Sequence, residues 1–88
     1  MSGPTYRIGP FARLTGVSVH ALRVWERRYR AFAPLRTAKG ARLYSDSDVE
    51  RVRLLKTLIA GGHPIGSIAQ LSEPELRDLL AKTRPAPA

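Results

Sequence analysis

The 88-residue chain has no cysteine, a single methionine, a single tryptophan, and seven acidic residues against fifteen lysines and arginines. Without cysteine there is no disulfide framework, no thiol nucleophile and no thiolate zinc site, so the chain must be held by packing and capping. Long apolar runs are missing as well. Stretches such as Leu54-Leu55 and Leu58 to Ala60 are interrupted by polar residues, far short of the roughly 18 residues of a membrane span. Nothing resembles the apolar core of a signal peptide, and a cytoplasmic location with no membrane partner is expected. At this length one domain is expected, burying about 60 to 65% of its unfolded surface in a single small core.

Catalytic chemistry is also scarce. Gly61-Gly62 lacks the preceding strand and following Lys-Ser/Thr of a phosphate-binding loop. The acids fall in first helical turns or on charged faces. His20 and His63 have neither a nucleophile nor a second ligand at a motif spacing. The chain reads as a non-enzyme that itself holds no metal or cofactor. The six aromatics lie mostly at core spacings, which leaves no stacking platform for single-stranded nucleic acid.

What is abundant is positive charge, +8 in total, and it is unevenly placed. Residues 1–44 carry nine cations and one acid, Glu26, whereas residues 45–88 carry six cations and six acids. Twelve of the fifteen cations are Arg, whose planar fork suits phosphates and guanine edges. A merely solvated surface would use more Lys and interleave acids.

Punctuation orders the chain. Residues 1–5 read as a loose start, 6–82 as the domain, and 83–88 as a flexible tail or the start of a linker to a missing C-terminal domain. Gly9-Pro10 opens a short helix with Phe11 and Leu14 inward. Gly16 offers a positive φ, Val17 plugs the angle between two helices, and Ser18 caps the second. This is helix-turn-helix grammar. From Val19 to about Arg30, Leu22, Trp25 and Tyr29 form an inward stripe, while His20, Arg23, Val24 and Arg27 share another face. Set in a major groove about 12 Å wide, that second face offers Arg to guanine or phosphate and Val to a thymine methyl.

Beyond Pro34, Leu35-Arg36-Thr37 and Ala41 to Tyr44 flank Ala38-Lys39-Gly40, the pattern of a two-stranded hairpin. Arg36, Lys39 and Arg42 cluster at its tip, and Leu35, Leu43 or Tyr44 can cover the core. A basic hairpin directly after a reading helix is a wing, suited to backbone or minor groove. Ser45 to Asp48 caps a longer helix with Val49, Val52, Leu55 and Ile59 inward, stopped at Gly61-Gly62. A helical turn or two follows over Ile65 to Leu71. Ser72-Glu73-Pro74-Glu75 then opens a last helix with Leu76, Leu79 and Leu80 inward.

The run Ile8 to Ser18, followed by Leu22-Arg23-Val24-Trp25-Glu26, then Arg36-Thr37 and Gly40 to Ser45, resembles the DNA-binding domain of MerR-family transcription regulators over about residues 6–71. The resemblance implies a mainly α winged helix-turn-helix with a short two-stranded wing and additional C-terminal helices. It implies double-stranded operator DNA as partner, and dimers on a pseudo-palindromic element. Position by position, Ser18, Val19, His20 and Arg23 would lie at or in the major groove. Trp25 stands where many members have a Tyr near the DNA backbone, which competes with its place in the inward stripe, although its indole N–H could reach a phosphate while the ring packs inward. Arg42 and Tyr44 match the wing's Arg and Tyr, and Lys56 a basic helix position near phosphate. Val24 stands where the family commonly has an aromatic, implying a different base preference.

The string Trp25-Glu26-Arg27-Arg28-Tyr29 is similar to the branch of light-responsive, cobalamin-linked repressors of carotenoid genes. There a C-terminal sensor domain, which could bind cobalamin or another effector, would accompany this module. The isolated module is expected to be monomeric and the full-length protein a homo-oligomer. From another class, the basic face could make the chain a protein-interaction adaptor for an acidic partner. A DNA-mimicking antagonist would compete for the same Arg cluster.

Overall fold

The computed structural model describes residues 3–83. Residues 1–2 of the expected loose start and 84–88 of the expected tail lie outside the described residues. In chain order the elements are β1 (Thr5–Tyr6), α1 (Ile8–Thr15), α2 (Val19–Tyr29), β2 (Leu35–Arg36), β3 (Arg42–Ser45), α3 (Asp46–Ala60), α4 (Ile65–Ile68) and α5 (Glu73–Thr83). The molecule is mainly helical, with α1, α4 and α5 gathered on α3 and the strands at one end of α1.

Local chemistry builds the helix-turn-helix as its sequence reads. Gly16 ends α1 in the left-handed region at φ 72°, its N–H donating to the Ala12 carbonyl at 2.9 Å, a backbone state that only glycine adopts without steric cost. The buried Thr15 hydroxyl accepts from Val17 N–H at 3.3 Å, and Val17 fills the angle between the helices. Ser18 caps α2 by accepting from Ala21 N–H at 3.1 Å. One expectation fails here. Leu14 is 40% exposed, not inward. In so short a helix Phe11 and Thr15, one turn apart, make the buried stripe, and Leu14 falls on its shoulder.

The expected two-stranded wing is part of a three-stranded antiparallel sheet in the order β1-β3-β2. Thr5 pairs with Ser45 and Tyr6 with Tyr44 on one side of β3; Leu35 pairs with Leu43 and Arg36 with Arg42 on the other. Thr5, read as loose start, is thus drawn into the sheet, and Thr83 into α5. Of the residues offered to cover the core, Tyr44 does so and Leu35 does not, being 53% exposed. Tyr44 stacks on Phe11 with ring centroids 4.3 Å apart, and Phe32 meets both rings edge-on at 5.7 and 5.8 Å.

Ser45 and Asp48 form the capping box of α3, whose Val49, Val52, Leu54, Leu55 and Leu58 are buried. Leu54 joins this face unannounced, while Ile59 is only partly covered. Arg51 reaches from α3 to the carbonyls of Ala31 and, at 2.7 Å, Ala69. It thereby ties the chain beyond α2 to α4. At α5, Ser72 N–H donates to Glu75 at 2.9 Å while Glu75 N–H donates to the Ser72 hydroxyl at 3.3 Å. These bonds favour the Glu75 carboxylate and hold its pKa below the usual value.

Candidate nucleic-acid interface

The 3.6-residue repeat of α2 separates its faces. Leu22 is buried, and Trp25 and Tyr29 pack partly covered against the core. His20, Arg23 and Arg27 are exposed on the outer side, with Val24 half-buried beside them. Ser18 is exposed and Val19 half-buried at the helix start. The Ser18 oxygen is already engaged as the cap.

Across from α2, the wing tip turns at Thr37 to Gly40, closed by Gly40 N–H donating to the Thr37 carbonyl at 2.9 Å with Gly40 at φ 84°. Lys39 is exposed on this tip. Arg36, also exposed, folds back to donate to the Gly40 carbonyl at 3.4 Å and braces the turn.

Between wing and helix lies a groove of about 610 Å³ lined by Arg7, Arg23, Arg27 and Arg42, with Glu26 and Tyr44 among its other walls. Arg42 is 41% exposed and gives its Nε to Glu26 Oε2 at 2.6 Å. Tyr44 lines the groove from the core side. It is 1% exposed, and its hydroxyl donates to Glu26 Oε1 at 3.0 Å. Burial, then the bond to Glu26 and that carboxylate's charge, push the phenol up to about 12, although Arg42 and Arg23 pull the other way. Tyr44 supports the wing from within, its ring stacked in the core and its hydroxyl on Glu26.

Lys56 does not join this groove. It projects from α3 beside Gly16, at the C-terminal end of α1. There it lines a second cavity of about 570 Å³ with Arg13, Gly16 and Arg53. Arg53 grips the Leu14 carbonyl through Nε at 3.2 Å and Nη2 at 2.8 Å, a cation at a helix C-terminus where the dipole favours it.

Sequence reasoning missed Arg7 and Glu26. Arg7 enters the groove only because β1 pairs with β3 and brings the start of α1 beside the wing. Glu26 did leave a signal, as the one acid in the first 44 residues. Among the described residues no helix is long and apolar enough to cross a membrane, and no group of three or more His, Cys, Asp or Glu is placed to hold a metal ion.

Comparison with known proteins matches residues 6–74 to the family described as MerR HTH family regulatory protein. The chain is 45% identical over 71 residues to the HTH-type transcriptional repressor CarH of Myxococcus xanthus, covering 81% of this chain and 24% of that protein. To the HTH-type transcriptional regulator MlrA of Escherichia coli it is 36% identical over 74 residues, covering 84% and 30% respectively. The chain therefore spans less than a third of the length of these relatives. Among solved structures, HiNmlR, a MerR family regulator lacking the sensor domain and bound to promoter DNA, superposes with a TM-score of 0.71 at 22% identity, covering 91% of this chain and 67% of that one.

Proposed function

Since the chain belongs to the MerR HTH family of regulatory proteins, we propose that it is the module by which a bacterial transcription regulator, acting as a repressor, reads double-stranded DNA. The observation that carries this reading is the arginine-lined groove between the outer face of α2 and the wing, formed wholly from the half of the chain that holds all the excess charge. Helix α2 enters the major groove with His20, Arg23, Val24 and Arg27 toward base edges and phosphates. The wing tip at Lys39, with Arg36 and Arg42, follows the adjacent backbone or minor groove, and Lys56 meets phosphate at the other end of α1. The part for repression follows the name of the Myxococcus relative.

The module alone binds as a monomer and weakly. In a longer protein, dimerisation would set two modules on half-sites about one helical turn apart. On this reading the module holds no cofactor of its own, and an effector such as cobalamin would act on another domain.

Titration with a duplex enriched by this chain from a random pool, and with a scrambled duplex, tests the proposal. Arg23→Ala should weaken the enriched duplex by about 1 to 3 kcal/mol and flatten sequence preference. Lys39→Ala should weaken both duplexes alike and lower the salt slope by about one. Unchanged affinity and selectivity in Arg23→Ala would remove α2 from the reading role. Chemical-shift changes with duplex confined to residues 61–80 would favour the adaptor for an acidic partner instead.

A further inference from the structure

Glu26 stands where electrostatics alone would not put it. It is the only acid of the first 44 residues and lies in a groove lined by four arginines that face a polyanion on the reading above. Its side chain is 14% exposed, so the carboxylate has lost most of its water and depends on its partners. Those partners are Arg42 Nε at 2.6 Å and the Tyr44 hydroxyl at 3.0 Å, one on each carboxylate oxygen. Arg42 and Tyr44 are two apart on β3 and so project from the same face of the strand. A single carboxylate on α2 thus grips the wing at two points.

The grip is anchored on the far side as well, because Tyr44 stacks on Phe11 in the core. The guanidinium of Arg42 is held through Nε, which leaves the terminal nitrogens of its fork beyond the bond. At the same time the negative charge subtracts from the groove's attraction for phosphate, which is the part of binding that carries no sequence information.

We infer that Glu26 is a specificity-determining positioning residue: it fixes the wing against the reading helix and weakens indiscriminate phosphate binding, giving up non-specific affinity for discrimination. The inference rests on the duplex-DNA reading. Like charge set against a wrong partner is a recognised source of specificity.

The test compares the wild-type chain, Glu26→Gln and Arg42→Gln by anisotropy titration over a salt series, using the enriched and the scrambled duplex. Glu26→Gln should bind the scrambled duplex several-fold more tightly, and the ratio of enriched to scrambled affinity should fall about tenfold. Arg42→Gln breaks the same grip from the other side while keeping the carboxylate. It should lower the ratio without any gain on the scrambled duplex. Circular dichroism and amide shifts of the hairpin separate loss of wing position from loss of fold, and Arg42→Gln carries the test if Glu26→Gln does not fold. A ratio unchanged in both variants, or an equal shift on both duplexes, overturns the inference and leaves the DNA reading standing. If the wild-type chain enriches no sequence at all, the DNA reading falls and this inference with it.

Discussion

Tyr44 shows how much one side chain settles in a domain this small. Its ring belongs to the aromatic cluster with Phe11 and Phe32, and its hydroxyl to Glu26. Tyr44→Phe keeps the stacking and removes the hydroxyl, leaving one oxygen of a mostly buried carboxylate short of a donor. The expected loss is about 1 kcal/mol in denaturant unfolding. The same residue sets an alkaline limit. The folded phenol ionises near 12 against 10.0 in the open, so between those values the unfolded chain binds fewer protons and stability declines as pH rises. A tyrosinate absorbance titration should show a component near 12 that is missing in Tyr44→Phe, and the variant should lose less stability over that interval. The residue types of this site were legible in the sequence, but not their division of labour. Arg42 and Tyr44 read as two wing contacts by resemblance, while strand alternation offered Tyr44 to the core; which of them the core covers depends on Phe11, 33 positions before Tyr44.

At the scale of elements, the turn between α1 and α2 carries the tightest local requirement. Gly16 has φ 72°, and a Cβ there would come within 2.5 Å of Lys56 Nζ. The lysine end is flexible and can swing away, so the cost of Gly16→Ala is mainly the left-handed backbone, about 1 to 2 kcal/mol. A lowered urea midpoint with an unchanged slope would register it. A midpoint equal to wild type would mean that the turn relaxes into another conformation. Gly16, the Ser18 cap, the Ser45 and Ser72 boxes and the stop at Gly61-Gly62 were all legible beforehand, because each acts within about four residues of its own position. The third strand was not. Thr5–Tyr6 is too short to show any alternation, and its partner lies at Tyr44–Ser45. Likewise the choice of Tyr44 over Leu35 as the covering residue, and the outward turn of Leu14, arise in elements of two and eight residues, where periodicity has little room to point.

For the whole molecule, charge and support are divided between the two halves of the chain. The second half neutralises itself: Lys82 lies 3.0 Å from Asp78, and Arg77 3.8 Å from Glu73, one turn apart on α5. Exposed pairs of this kind contribute little to stability. Removing both cations, as Arg77→Ala with Lys82→Ala, should leave duplex affinity and its salt slope at wild-type values, in contrast to Lys39→Ala. A change in salt slope as large as that of Lys39→Ala would extend the interface onto α5.

The sequence by itself determined the helices, the caps at Ser18, Ser45 and Ser72, the turn, the hairpin tip and the basic outer face of α2, since these follow from interactions between near neighbours and from helical spacing. Only the tertiary structure decided that Arg7 shares the groove, that Glu26 holds Arg42 and Tyr44, and that Arg51 bridges Ala31 and Ala69. Those partners lie 16 to 20 residues apart along the chain. Which of many polar groups meet across such separations is set by how the apolar faces close on Phe11, Leu22, Tyr44 and Leu55, a geometry that no local pattern of residues contains.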